Sequence, residues 1–208
     1  SQILERFLDS RDFSVIPNIS WRHSISKKYI CNETCLPEAD NLDIFPSPYL
    51  EGLFDYLFEK KDFNFQAIIE TNRGCPFRCS YCVWGKGGLN KSLRYHSLER
   101  IRSEIEWSSS KKIRYLFNAD ANFGINQRDI EIAKILVEQK EKYGFPEKFR
   151  ACFTKNSDER IYGLAKLLVS KNLEKGVTLS FQSMNKEVLT NVGRKNIQIS
   201  TYKNLLKK

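Results

Sequence analysis

The chain has 208 residues, a formal net charge of +9 and 41% apolar residues. This apolar fraction excludes a disordered chain, and the length predicts about one domain. No apolar run approaches the roughly 18 residues of a membrane-spanning helix, so no membrane partner is expected. The N-terminal segment carries charges where a signal peptide is apolar, which predicts a cytoplasmic protein with reduced cysteines. Because the chain opens without Met, it is expected to continue from an upstream segment.

The positive charge comes from 34 basic residues against 25 acidic ones. Such a balance can indicate a polyanionic partner such as RNA. The lysines, however, are spread along the chain without a dense basic tract, which favours a solvated surface. A nucleic-acid partner is therefore not expected.

The predicted elements begin after a long irregular segment. Residues 1–62 contain four of the six prolines and are predicted to form an extended linker with turns. Further along the chain, alternating apolar residues predict strands, and apolar residues at three- and four-residue spacing predict helices. The predicted strands cover residues 63–70, 112–117, 149–154 and 176–181. The predicted helices begin after Ser97, cover residues 129–143, follow a cap at Asn156 or Ser157, and begin at KEVLTNV.

Strands that alternate with helices predict a parallel sheet with crossover helices. The repeating part, residues 63–208, is shorter than the roughly 200 residues of a complete eight-unit barrel. The predicted fold is therefore α/β, a partial β/α barrel with parallel strands that an irregular linker precedes. Its functional groups are expected at the carboxyl ends of the strands.

Three closely spaced cysteines, Cys75, Cys79 and Cys82, follow the first predicted strand. Disulfides are not expected in a reducing compartment. A structural zinc site or a ferredoxin-type cluster takes four ligands. Distant candidates for the fourth ligand are Cys31, Cys35, Cys152, His23 and His96. Three thiolates alone would instead leave one iron of a [4Fe–4S] cluster open, as at a catalytic metal site.

The pattern Cys75-x-x-x-Cys79-x-x-Cys82 in the first loop of a β/α barrel, with Tyr81 before the last cysteine, resembles the radical SAM superfamily. The resemblance implies that the three thiolates hold a [4Fe–4S] cluster and that S-adenosylmethionine (SAM) chelates the fourth iron. It also implies reductive cleavage of SAM to a 5′-deoxyadenosyl radical, with an electron donor such as flavodoxin or ferredoxin. The substrate stays open between a small molecule, a peptide and another organic compound.

Two further stretches resemble the cobalamin-dependent subgroup of this superfamily. They are residues 3–22 and PSPYLEGLFD at 46–55, which are similar to the segment that joins a cobalamin domain to the barrel. This likeness implies that residues 1–62 end an upstream domain, that the chain is a fragment, and that methyl transfer to an unactivated carbon is catalysed. The cobalamin-ligating pattern Asp-x-His-x-x-Gly is not found, so either cobalamin binds an upstream region or this chain does not use it.

The resemblance also implies side chains that contact SAM: Tyr81, Asp120, Asn122, Lys155, Gln182, Ser183 and Arg194. Asp120 and Asn122 would hold the methionine amino group, although they depart from the usual Gly-Gly-Glu pattern and an Asx-rich turn is the alternative. Lys155 and Arg194 would face the carboxylate. The remaining three would contact the adenine, the ribose or the carboxylate.

Other interpretations place less chemistry on these residues. Cys31 and Cys35 are expected to be unligated, and Cys152 is expected to be a packed thiol. The stretch GKGG at 85–88 lacks P-loop spacing and is predicted to close flexibly over the cluster. Two alternative functions remain: a radical SAM RNA-modifying enzyme, and a non-catalytic RNA-binding module stabilised by zinc or a cluster.

Overall fold

The computed structural model describes residues 2–9, 12–32, 39–60, 63–86, 92–155, 159–180 and 182–207. They divide between two compact units, Ser1–Ala39 and Asp40–Lys208. The helices are α1 (Gln2–Asp9), α2 (Val83–Lys86), α3 (Leu98–Ser110), α4 (Arg128–Tyr143), α5 (Glu159–Ser170), α6 (Lys186–Asn191) and α7 (Ile199–Leu206). The strands are β1 (Ser20–Arg22), β2 (Tyr29–Cys31), β3 (Gln66–Ile69), β4 (Asn72–Arg73), β5 (Arg94–Tyr95), β6 (Tyr115–Phe123) and β7 (Lys148–Phe153). No described helix is long and apolar enough to span a membrane.

The first unit contains more regular structure than the predicted linker. It consists of α1 and a β1–β2 antiparallel hairpin in which Trp21 pairs with Ile30. The Asn32 amide donates hydrogen bonds to the carbonyl oxygens of Phe13 and Ile16 at 2.5 and 2.6 Å. These bonds hold the segment before the hairpin against its last strand, and the Phe13 carbonyl accepts a further bond from the Ile16 amide at 3.1 Å.

The second unit is built on a parallel sheet with strand order β3-β6-β7. Ile68 of β3 pairs with Phe117 of β6, which pairs with Arg150 of β7. Helices α3 and α4 cross over between successive strands; α3 packs against β3 and α4, and α4 packs against α5. This arrangement confirms the predicted partial α/β barrel with parallel strands.

The two faces of this sheet differ in burial. The face that carries Ala67, Ile69 and Leu116 is buried in the apolar core under the helices. The opposite face is more open, with Ile68 58% and Phe117 40% exposed. Because side chains alternate along a strand, each strand has one buried face and one that borders open space.

The predicted helix ends agree with the structure where it describes them. The Ser97 hydroxyl accepts a hydrogen bond from the Arg100 amide and caps α3. Gly144 ends α4 with φ 78°, a left-handed conformation that glycine adopts without strain. The predicted cap at Asn156 or Ser157 lies outside the described residues.

Three predicted strands are corrected. The first was predicted over residues 63–70, but β3 covers only Gln66–Ile69. The second strand was predicted over residues 112–117, but β6 continues to Phe123. The fourth was predicted over residues 176–181, but residues 176–180 form no strand, and residue 181 lies outside the described part of the chain. Apolar alternation reports only the side-chain pattern, whereas a strand also needs a neighbour for its backbone hydrogen bonds.

Candidate functional site

The cysteine loop, residues 74–82, lies at the carboxyl edge of the parallel sheet. It follows β3 and the short strand β4, which pairs antiparallel with β5. Cys75 and Cys79 are 7% and 3% exposed, whereas Cys82 is half-buried. The Cys82 amide donates to the Cys79 carbonyl at 3.1 Å, and α2 begins at the next residue. The fold therefore places the motif at the edge where functional groups were expected.

A cavity of about 440 Å³ opens beside this loop. Its lining includes Cys75, Cys82, Asp120, Cys152 and Lys155. Cys152 is exposed, so the prediction of a packed thiol is wrong. The Cys152 side chain lies on the open face of β7. The sequence of one strand does not show which of its faces is buried, because the neighbouring strands and helices decide it.

The Asp120 carboxylate on β6 holds Thr71 and Asn72, which precede the cysteine loop, through buried hydrogen bonds. It accepts bonds from the backbone amides of Thr71 and Asn72 at 2.7 and 3.1 Å. It also accepts bonds from the Thr71 hydroxyl and from the side-chain amides of Asn72 and Asn118. Burial raises the pKa of Asp120, an effect that these hydrogen bonds oppose. The carboxylate is thus already surrounded by donors from Thr71, Asn72 and Asn118, and it fixes the start of the chain segment that leads into the cysteine loop.

Two buried side chains donate hydrogen bonds to cysteine sulfurs. The Asn122 Nδ2 atom lies 3.2 Å from Cys75 Sγ, and the Arg194 Nη1 atom lies 3.3 Å from Cys79 Sγ. Asn122 Oδ1, Arg194 Nε and Arg194 Nη2 have no hydrogen-bond partner among the described residues. The Arg194 guanidinium also lies over the Phe77 ring, 5.2 Å from its centroid. These three polar atoms next to the thiols could therefore form hydrogen bonds with a bound group.

The segment after α6 holds the cysteine loop from the other side. The Ser80 amide donates to the Val192 carbonyl at 3.0 Å. Gly193 has φ 63°, and a Cβ atom there would lie 3.0 Å from the Arg78 carbonyl oxygen. Glycine therefore allows both the left-handed backbone and the close approach of the two segments.

The remaining predicted SAM contacts lie in different surroundings. The Tyr81 hydroxyl donates a hydrogen bond to Oε1 of Gln182, 101 positions further along the chain, and Tyr81 is 55% exposed. Ser183 Oγ accepts from the Asn185 amide at 3.1 Å, a local bond before α6. Lys155 lines the cavity. The structure thus brings Tyr81 and Gln182 together, while Ser183 serves the start of a helix.

Of the distant candidates for a fourth metal ligand, the two histidines have other partners, and Cys152 lines the cavity. His96 Nδ1 lies 3.0 Å from the Asp43 carboxylate, and His23 bonds to Ser26 within the hairpin. Cys31 is exposed, and Cys35 lies outside the described residues. Residues 87 and 88 of GKGG are also outside them, so its predicted closure is not described.

The described residues contain no group of three or more His, Cys, Asp or Glu side chains close enough to hold a metal ion. The three motif sulfurs are thus gathered on one loop but are not drawn together as a ligand cage. The donor set nevertheless suits an iron–sulfur cluster, because its usual ligands are cysteine thiolates and these three cysteines form no disulfide. The unpartnered atoms of Asn122 and Arg194 beside the sulfurs fit a group that would occupy this space.

Sequence reasoning missed several residues that shape the site. Thr71, Asn72 and Asn118 surround Asp120, and Gly193 permits the approach to the loop. The polar pair Thr71–Asn72 directly after a buried strand was a usable signal, because strand ends at this edge carry functional groups. The contact of Gly193 with Arg78 has no local signal.

The family model of the radical SAM superfamily matches residues 69–208. The chain belongs to this superfamily. Membership confirms the resemblance that the cysteine motif indicated, and it implies a [4Fe–4S] cluster, SAM and a reductant.

Two curated relatives are similar over nearly the whole chain. The 2-(S-pantetheinyl)-carbapenam-3-carboxylate methyltransferase of Streptantibioticus cattleyicolor is 37% identical over 206 residues, 98% of this chain and 30% of that relative. The cobalamin-dependent radical SAM methyltransferase TokK of Streptomyces tokunonensis is 37% identical over 203 residues, 96% of this chain and 29% of that relative. The chain therefore spans about 30% of the length of these relatives. Both are named methyltransferases, and the name of TokK agrees with the predicted cobalamin-dependent subgroup.

Solved structures share the fold at low identity. The radical SAM methyltransferase TsrM of Kitasatospora setae, solved with tryptophan substrate and a SAM analog, gives a TM-score of 0.65 at 16% identity. That match covers 99% of this chain and 40% of TsrM. OxsB, a cobalamin-dependent SAM radical enzyme solved with aqua-cobalamin and SAM, gives 0.57 at 19% identity, covering 94% and 28%. Both likenesses support the partial barrel.

Proposed function

We propose that this chain carries the [4Fe–4S] and SAM site of a radical SAM enzyme, with Cys75, Cys79 and Cys82 as the three thiolate ligands. The bound cluster would supply one electron for cleavage of SAM to a 5′-deoxyadenosyl radical. The observation that carries the proposal is the position of the motif. Its three thiols lie on one loop at the carboxyl edge of the sheet, and two of them line an adjoining cavity.

The side chains around the cavity divide into two roles. Lys155 borders it as a cation and would pair with the SAM carboxylate. Tyr81 and Gln182, which are hydrogen-bonded to one another, would border the adenine and ribose. Asp120 would keep the cysteine loop on the end of β6 rather than bind SAM, because its oxygens already accept bonds from Thr71 and Asn72.

For a full-length protein that contains this chain and has the length of its relatives, we propose that the net reaction is cobalamin-dependent methyl transfer to an unactivated carbon. The support is 37% identity to two named methyltransferases over nearly all of this chain. The Asp-x-His-x-x-Gly pattern does not occur in these 208 residues, so we assign no cobalamin ligand to them. We further propose a cytoplasmic location, since the thiols must stay reduced. A flavodoxin or a ferredoxin is proposed as the electron donor, since the cluster must take up one electron.

Anaerobic reconstitution with iron and sulfide tests the proposed site. The chain is expected to bind a [4Fe–4S] cluster and, with SAM and dithionite, to release 5′-deoxyadenosine. Alanine at Cys75, Cys79 or Cys82 is expected to abolish both, because each removes one of three ligands. The matched control is Cys31→Ala, which removes an exposed thiol of the other unit and should keep both.

Contrary results are equally concrete. Retention of cluster binding and full SAM cleavage by the Cys79→Ala chain would refute the assignment. Stoichiometric zinc without iron, together with salt-sensitive RNA binding, would instead favour the RNA-binding module.

A further inference from the structure

The two buried cysteines of the motif each accept a hydrogen bond from a residue far away in sequence. Asn122 on β6 donates to Cys75, and Arg194 after α6 donates to Cys79. The two donors differ in charge, because an amide is neutral and a guanidinium carries a full positive charge. The ligands of the proposed cluster are therefore placed in unequal electrostatic surroundings.

Within the part of the chain that the structure describes, the Cys79 sulfur is the one hydrogen-bond partner of the Arg194 guanidinium. The residue is 4% exposed, and two of its three guanidinium nitrogens have no hydrogen-bond partner among the described residues. A buried cation without an anionic neighbour is costly. A thiolate at Cys79 that is bound to iron would be such a neighbour, whereas a neutral thiol compensates the charge far less.

The aromatic ring below the guanidinium supports the same arrangement. Phe77 lies two residues before Cys79, and its ring centroid is 5.2 Å from the Arg194 carbon Cζ. A cation over an aromatic face is attracted to it, especially away from water. Phe77 thus helps to hold Arg194 at the sulfur.

We propose that Arg194 and Asn122 are positioning residues that raise the reduction potential of the cluster through N–H···S hydrogen bonds, Arg194 more strongly than Asn122. This inference rests on the proposed function. Reduction by one electron, supplied by dithionite or a protein donor, adds one negative charge to the cluster and its thiolates. Hydrogen-bond donors and a nearby cation stabilise that charge, which shifts the potential upward. The role differs from the contact with the SAM carboxylate that the sequence resemblance implies for Arg194.

Redox titration of the anaerobically reconstituted chain, followed by EPR without SAM, tests the inference. Arg194→Met removes the charge and the donors, and it is expected to lower the midpoint potential the most. Asn122→Leu removes a neutral donor and should lower the potential less. Arg194→Lys keeps the charge and should fall between Arg194→Met and wild type.

The matched control is Arg114→Gln, which removes one positive charge at the opposite end of β6. Arg114 is paired with Glu147 on the surface, so this substitution should leave the reduction potential of the cluster unchanged. Far-UV circular dichroism shows which variants fold, and if Arg194→Met does not retain iron, Arg194→Lys and Asn122→Leu decide the outcome.

The results separate this inference from the proposed function. Wild-type chain that binds no iron would overturn the proposed function and the inference together. Wild-type chain with a cluster, but with the same potential in the Arg194 and Asn122 variants, would overturn only the inference. Equal downward shifts in Arg194→Met and Arg114→Gln would also overturn it, because net charge alone would then explain them.

Discussion

The two ends of the parallel sheet differ in the burial of their charged side chains. At the amino end, Arg114 pairs with Glu147 at 2.9 Å on the surface. At the carboxyl end, Asp120, Asp129 and Arg194 are each at most 4% exposed. Burying polar groups costs free energy unless partners compensate. Their concentration at one end therefore indicates a functional site at this edge, because burial of these charged groups does not by itself favour stability.

The pKa values of the carboxyl groups express the same difference. At the amino end, the hydrogen bond from Arg114 lowers the pKa of Glu147. At the carboxyl end, burial raises the pKa of Asp129 to about 6, and the nearby Asp120 charge acts in the same direction. Solvent and a cation thus favour the charged form at one end, whereas burial disfavours it at the other.

Asp120→Ala is the change that should disturb the carboxyl end most. It leaves buried donors of Thr71, Asn72 and Asn118 without their acceptor, and we expect a loss of about 4 kcal/mol in the free energy of unfolding. Urea denaturation followed by circular dichroism measures it. Arg114→Gln at the amino end is the control and should leave the value within experimental error, since exposed ion pairs contribute little. Similar losses in the two variants would contradict the comparison.

Asp129 should make stability depend on pH. Its carboxyl retains a proton up to about pH 6 in the folded chain, whereas the usual value is 3.8. Between these values the folded state binds more protons, so the free energy of unfolding should fall as pH rises from about 4 to 6, by on the order of 3 kcal/mol. The Asp129→Asn chain should lack this decline, because Asn does not titrate. Urea denaturation at several pH values tests this, and a wild-type stability that rises over this range by the same amount in both chains would contradict it.

Gly193→Ala should have a smaller effect, at the contact between the α6 segment and the cysteine loop. A side chain at φ 63° is strained, and its Cβ would press on the Arg78 carbonyl, so we expect a loss of about 2 kcal/mol. Gly163→Ala is the matched control within α5, where nothing lies within 4 Å of the new Cβ. It should stabilise by about 0.5 to 1 kcal/mol. Thermal and urea unfolding of both variants show whether the signs differ as expected.

Much of the site could be predicted because its signals are local. Cys75, Cys79 and Cys82 are close in sequence, and the strand before them fixes their edge of the sheet. The end of β6 was harder to predict, because its register with β7 shifts between Asn118 and Phe123. In that irregular stretch Asp120 and Asn122 lie on a strand rather than in the alternative Asx-rich turn, and no pattern within one strand encodes such a shift.

The sequence by itself determined the family, the parallel α/β order and the three thiols, because short-range spacing and periodicity carry that information. Only the tertiary structure decided which groups surround those thiols. Arg194 meets Cys79 across 115 positions, and Asn122 meets Cys75 across 47. Such contacts depend on how separate elements pack, since the same side chains on a differently packed loop would have other neighbours.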